Sequence, residues 1–193
     1  MMQIKGTLEL SAFLLAAVIQ NHQLISRLEF RSTVDGLTQV NNRNAMNDRV
    51  DKLVSGEVKA PSKMGIAFAD LNGLKTVNDD EGHDAGDKLL TRAAALLKIA
   101  FGDYEIYRAG GDEFVVFCPD ITEEKFQQHA KQLRSLTEST PDVSFAIGTV
   151  FVEGDYNYNI CKAMQAADED MYKDKEEYYR MHPEKDRRKR SRD

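Results

Sequence analysis

Little in this chain of 193 residues points to covalent or metal cross-linking. It has two cysteines, Cys118 and Cys161, in neither CxxC nor CxxH spacing, so no zinc site or disulfide framework is expected. Both are read as buried reduced thiols, because a free cysteine behaves as a small hydrophobe. The four histidines are scattered and make no metal cluster. No apolar run approaches the ~20 residues that span a bilayer; the longest covers only residues 12–19. Glu9 precedes that run and no small-residue cleavage site follows it, so it does not read as a signal peptide. The expected setting is cytoplasmic, with no membrane contact within the chain. The net charge of -6 argues against a whole-domain nucleic-acid binder, and no basic groove with interleaved aromatics is visible.

What is present is ordinary globular material. Hydrophobic residues make up 41% and charged residues 30%, enough to bury one core in one domain with a short extension. Residues 6–31 carry Leu10, Leu14, Val18, Ile25 and Leu28 at helical spacing. They read as a signalling helix or the last helix of an upstream sensor region, the alternative being a helix packed on its own domain. Residues 1–32 are therefore set apart from a domain over 33–180, and the basic tail 181–193, with no periodicity, is expected to be disordered.

Within the domain, Met46, Val50, Leu53 and Val54 give a helical stripe that stops at Gly56. Residues 64–69 read as a buried strand, and a helix is expected from about Ala85 with Leu89, Leu90, Ala93, Leu96 and Leu97 inward. "YEIYR" and "EFVVF" flank Gly110-Gly111, which predicts a hairpin with a tight two-residue turn and glycines at positive φ. A helix over 122–136, a strand over 143–152 and a helix over 158–177 complete the order. Without the first helices this is βαββαβ: an α+β, two-layer, ferredoxin-like fold.

Four clusters could carry chemistry. Asp70 leaves the end of the first strand in "FADLNGLK", where Gly73 permits close approach of a ligand and Lys75 offers a charge for phosphate. Asp112 and Glu113 sit at the hairpin tip, and strand periodicity sends their side chains to opposite faces. In a ferredoxin-like sheet Asp70 and Asp112 could converge, and two such carboxylates suit Mg²⁺. In "NDDEGHDAGD", Asn78 can donate and accept while Asp87 accepts, a set complementary to guanine; His83 reads as a turn or packing residue. In "AADEDMYKDK", Met164, Ala167 and Met171 form an inward stripe, with Lys175 one turn beyond and able to reach a phosphate.

Together, "DGLTQVNNR", "ADLNGLKTVND", "GHDAGD", "RAGGDEF", "FAIGT" and "ADEDMYKDK" make the chain resemble the GGDEF family of diguanylate cyclases over residues 33–175. The resemblance implies condensation of two GTP into cyclic di-GMP by a homodimer, with two Mg²⁺ or Mn²⁺ per active site. It implies metal ligation by Asp70, the Leu71 carbonyl, Asp112 and Glu113, and help from Asp112 in deprotonating the attacking 3′-hydroxyl. It further implies guanine reading by Asn78 and Asp87, phosphate binding by Lys75 and Lys175, and a nucleotide lying against Gly110 and Gly111. Three positions depart from the family pattern. "FGDY" at 101–104 stands where many members carry an inhibitory RxxD site, so product inhibition through that site is not expected. Asn72 stands where Asp is frequent, and Tyr179 where a phosphate-binding arginine is frequent, with Arg180 beside it.

Overall fold

A strand buried on both faces needs helices on both sides, and residues 63–71 are almost wholly buried. The computed structural model describes residues 15, 18–20, 33–154 and 159–183. Ten elements follow from Asn41: β1 (Asn41–Asn42), α1 (Arg43–Ser55), β2 (Lys63–Leu71), α2 (Leu74–Glu81), α3 (His83–Phe101), β3 (Glu105–Arg108), β4 (Glu113–Pro119), α4 (Glu123–Glu138), β5 (Phe145–Glu153) and α5 (Ile160–Met181). The sheet order is β1-β3-β4-β2-β5. β2 runs antiparallel to β4 and β5, and β3 antiparallel to β4. β2–α3–β3–β4–α4–β5 is thus the ferredoxin-like βαββαβ core, and the short β1 adds a parallel edge beside β3.

Period-two alternation divides the core between the two faces. Ala67, Leu71, Phe114 and Val116 join Leu89, Leu97 and Phe126 in one cluster under α3 and α4. Met64, Ile66, Val115 and Phe117 join Met46, Leu53, Ile160 and Ala167 in a second cluster under α1 and α5. α1 and α5 therefore cover the face that the βαββαβ core alone would leave open. Two glycines set the approach of these layers. A Cβ at Gly148 would collide with the α5 backbone at Ala167 and Met171, and one at Gly65 with the Phe126 ring.

The helix ends are capped locally. Asn42, Thr122 and Asn159 each accept a bond from the backbone N–H three residues on. β5 is an edge strand whose outward N–H groups are taken up by side chains: Ile147 N donates to Asp174 and Thr149 N to Asp170.

Several sequence expectations need correction. An unexpected helix, α2, forms before α3; it has no fully buried residue, and only Leu74 and Val77 pack partly against the core, too short a stripe to read. The hairpin turn is longer than two residues. Arg108 pairs with Phe114, and both Ala109 N and Gly110 N donate to the Glu113 carbonyl. Gly110 and Gly111 are not among the glycines at positive φ, so the wider turn does not use that freedom. Cys118 is buried but Cys161 is exposed, because it lies on the outer side of the first turn of α5. Of the expected leading helix, only Leu15, Val18, Ile19 and Gln20 are described; they are helical and exposed. The rest of it, and most of the 181–193 tail, lie outside the described residues.

Candidate active site

β2 runs from its core to Asp70 and Leu71, and the hairpin meets it there. Asp70 is in register with Glu113, and Leu71 N donates to the Asp112 carbonyl at 2.9 Å. On the other side Asn72 N donates to the Ser144 carbonyl at 2.8 Å. The ladder thus brings Asp70, Asp112 and Glu113 together from separate stretches of sequence, at one end of the two central strands.

Asp70 is 3% exposed. Its Oδ2 accepts from Lys175 Nζ at 2.8 Å, while Oδ1, also buried, has no hydrogen-bond partner among the described residues. Burial pushes the Asp70 carboxyl above its ordinary range; Lys175 pulls against this, and Asp112 and Glu113 add to the rise. For Lys175, burial works against the charge, but Asp70 and Asp112 outweigh it and hold the ammonium above its usual range. Asn72 Oδ1 is likewise buried without a partner, and its Nδ2 donates to Ser144 Oγ at 3.3 Å. Asp112 is half-buried and Glu113 exposed. The Glu113 carboxylate folds back over the turn, with Oε2 2.6 Å from where a Cβ on Gly110 would sit.

Beyond β2 the chain turns at Gly73, at φ 81°, and enters α2. Lys75 is exposed in its first turn and Asn78 follows one turn later. Gly82 separates α2 from α3, and the Asn78 amide lies directly on Gly86 of α3, where any Cβ would collide with it. The missing side chain at Gly86 therefore lets Asn78 settle beside the turn of α3 that carries exposed Asp87.

Sequence reasoning assigned no role to Arg108, Asp35 or Ser144. Arg108 Nε and Nη2 donate to the Gly111 carbonyl at 3.2 and 2.8 Å, and its Nη1 donates to both Asp35 oxygens at 3.1 and 3.3 Å. Asp35 also accepts from Thr38 N and Oγ1. The hairpin tip is thereby tied to the "DGLT" segment. The available signal was an arginine at a strand end two residues before the glycine pair.

At the "FGDY" stretch, Phe101 is fully buried and stacks on His129, with Tyr104 edge-on to the same ring. Aromatic packing fills the place where an arginine–aspartate pair was looked for. Arg180 forms an ion pair with Glu177 and so is engaged on its own helix. Among the described residues no group of three His, Cys, Asp or Glu side chains is assembled to hold a metal. The donors present, carboxylates and a backbone carbonyl, are instead of the kind Mg²⁺ takes alongside substrate oxygens and water. Asp70 Oδ1, buried and without a partner among the described residues, is an oxygen such a set could use. No helix among the described residues is long and apolar enough to cross a membrane.

A ferredoxin-like sheet with carboxylates gathered at the ends of its central strands defines the class. Residues 32–180 match the model of the family described as "Diguanylate cyclase, GGDEF domain", and the chain belongs to that family. It is 25% identical over 183 residues to the diguanylate cyclase DosC of Escherichia coli (strain K12), covering 89% of this chain and 38% of that protein. It is 31% identical over 117 residues to the cyclic di-GMP phosphodiesterase PdeR of the same strain, covering 60% and 17%. The chain thus spans less than two fifths of the length of these curated relatives. Its fold matches the coiled coil and GGDEF domain of DgcB from Caulobacter crescentus, with TM-score 0.69, 22% identity and coverage of 86% and 94%. The FimX GGDEF domain from Pseudomonas aeruginosa matches with TM-score 0.65, 23% identity and coverage of 74% and 93%.

Proposed function

We propose that the chain is a diguanylate cyclase domain, condensing two GTP into cyclic di-GMP with release of two pyrophosphates. The observation that carries this reading is Asp70, a carboxylate buried at the site with one oxygen on Lys175 and the other without a partner. An unshared buried carboxylate oxygen is costly unless something of positive charge completes it.

Asp70, the Leu71 carbonyl, Asp112 and Glu113 would hold two Mg²⁺ or Mn²⁺ ions. Bound there, the metals lower the pKa of the 3′-hydroxyl and neutralise charge on the leaving pyrophosphate. The chain's own residues bind and orient. Lys75 and Lys175 take the β- and γ-phosphates as point charges. Asn78 and Asp87 read guanine; Asp87 accepts from N1–H and the 2-amino group, and adenine offers neither donor. Gly110 and Gly111 keep the hairpin tip low against the nucleotide, and Asp112 helps to take the proton of the attacking 3′-hydroxyl. Positioning and electrostatics supply most of such catalysis.

Each domain holds one GTP, so two domains over residues 33–180 face each other in a homodimer. Residues 1–32 serve as the signalling segment that sets this geometry, linked to an upstream sensor in a longer cytoplasmic or membrane-tethered protein. Arg108 positions the hairpin.

A catalytically silent GTP-binding or dimerisation module is the second reading, since the relatives include a protein named as a cyclic di-GMP phosphodiesterase. Incubation with GTP and Mg²⁺ over a range of protein concentrations, with products resolved by chromatography, separates the two. Cyclic di-GMP that rises more steeply than protein concentration, and is lost in Asp112→Ala, is expected. GTP binding without product at any concentration would select the silent module.

A further inference from the structure

We propose that Lys175 is a built-in substitute cation, holding Asp70 in the nucleotide-free protein and making divalent-metal binding depend on the nucleotide's phosphates. This rests on the cyclase reading and deepens it, because it gives one side chain two successive anionic partners.

The two partners are unequal in freedom. Asp70 is fixed in the central strand, registered with Glu113 on β4 and Ala146 on β5, and its side chain is 4% exposed. Lys175 stands on α5 with its side chain 29% exposed, at the end of a flexible four-carbon stem. Exchange of partners at this ion pair therefore falls to the lysine. Glu113 is in register with Asp70, and the Asp112 carbonyl accepts from Leu71 N, so two further carboxylate residues stand at the same strand end as the one ammonium.

A metal arriving alone can reach the unpartnered Oδ1, but it would then lie beside the Lys175 ammonium held on Oδ2 of the same carboxylate, like charge against like charge. A nucleotide changes this balance. Its phosphates offer Lys175 a new anion within reach, so the lysine can swing off Asp70 without becoming a half-buried charge lacking a counter-ion. Metal and nucleotide then bind with positive coupling, and each raises the affinity of the other by the same factor. The free protein keeps its acidic site neutralised and closed to stray divalent ions.

The test measures protein-bound Mn²⁺ from the electron paramagnetic resonance signal of free Mn²⁺, with and without a GTP analogue carrying a methylene between the α- and β-phosphates, the Mn²⁺ chelated by the analogue alone being subtracted. Wild type, Lys175→Gln, Lys175→Met and Lys175→Arg are compared; the two neutral variants back each other up should one fold poorly. The wild-type chain is expected to bind Mn²⁺ weakly alone and tightly with the analogue. In both neutral variants the affinity for Mn²⁺ alone is expected to rise roughly tenfold or more, because a cation in contact with the ligand oxygen has gone. The enhancement by the analogue should shrink correspondingly, and Lys175→Arg should stay near wild type. Unchanged or weaker Mn²⁺ binding in the neutral variants, with the analogue still enhancing it, would overturn the substitute-cation role while leaving the cyclase reading intact. No Mn²⁺ bound beyond what the analogue alone chelates, in any form of the protein, would overturn both.

Discussion

Arg108→Gln removes the clamp that ties the hairpin tip to the start of the domain. The lost contacts are two bonds to the Gly111 carbonyl and an ion pair to Asp35, between side chains 15% and 22% exposed. Hydrogen bonds to charged groups contribute about 1.5–3 kcal/mol each before partial solvation reduces them. With both residues mostly but not wholly shielded, a loss of about 2–4 kcal/mol is expected, short of the cost of breaking a fully buried pair. For a domain of this size that lowers Tm by roughly 4–16 °C.

The same pair has a pH signature. Burial pushes the Asp35 carboxyl up, but bonds from Thr38 and Arg108 outweigh burial and hold it below its ordinary value. A carboxyl with a depressed folded-state pKa stabilises fully above its unfolded pKa, about 4, and loses that contribution as pH falls through the folded value. The gap between wild type and Arg108→Gln should therefore be complete at neutral pH and narrow below about pH 4. Denaturant unfolding across pH, with Asp35→Asn closing a double-mutant cycle, measures this, and coupling of about 1–3 kcal/mol is expected between the two sites. A loss below about 0.5 kcal/mol, or a gap equally wide at pH 3 and pH 7, would refute the clamp.

Other substitutions probe the close approaches. Gly148→Ala should cost about 3 kcal/mol or more, seen as a lower denaturant midpoint, because the colliding atoms are α5 backbone and cannot rotate away. Gly86→Ala should displace the Asn78 amide while leaving the chemistry in place, so KM for GTP should rise more than kcat falls. Added cyclic di-GMP should leave the initial rate unchanged, since aromatic packing of Phe101 and Tyr104 on His129 occupies the "FGDY" stretch; inhibition lost on changing that stretch would contradict this.

Features with local or periodic causes were readable from the amino acids. The βαββαβ order follows from alternating strand and helix periods, and α3 begins two residues from where its apolar stripe was placed. The approach of Asp70 to the hairpin follows from the fold's strand order, which puts β4 beside β2. What escaped has no local cause. α2 is a short helix whose only core contacts are the partly buried Leu74 and Val77, while β1 is two asparagines that become a strand only by pairing with Tyr107 and Arg108. The bond from Lys175 to Asp70 joins residues 105 apart, and Arg108 to Asp35 joins residues 73 apart. Such contacts depend on the final placement of α5 and of the "DGLT" segment. The glycine pair misled the turn assignment because Gly-Gly suits several turn lengths, and here the Glu113 carboxylate lies over Gly110.

The most direct measurement is ³¹P nuclear magnetic resonance of the purified chain with GTP and Mg²⁺, at protein concentrations high enough to populate the dimer. Consumption of GTP with one cyclic di-GMP phosphodiester product formed for every two pyrophosphates is the outcome this account predicts. GTP that persists unchanged at every protein concentration, or that decays to GDP and inorganic phosphate, would contradict it.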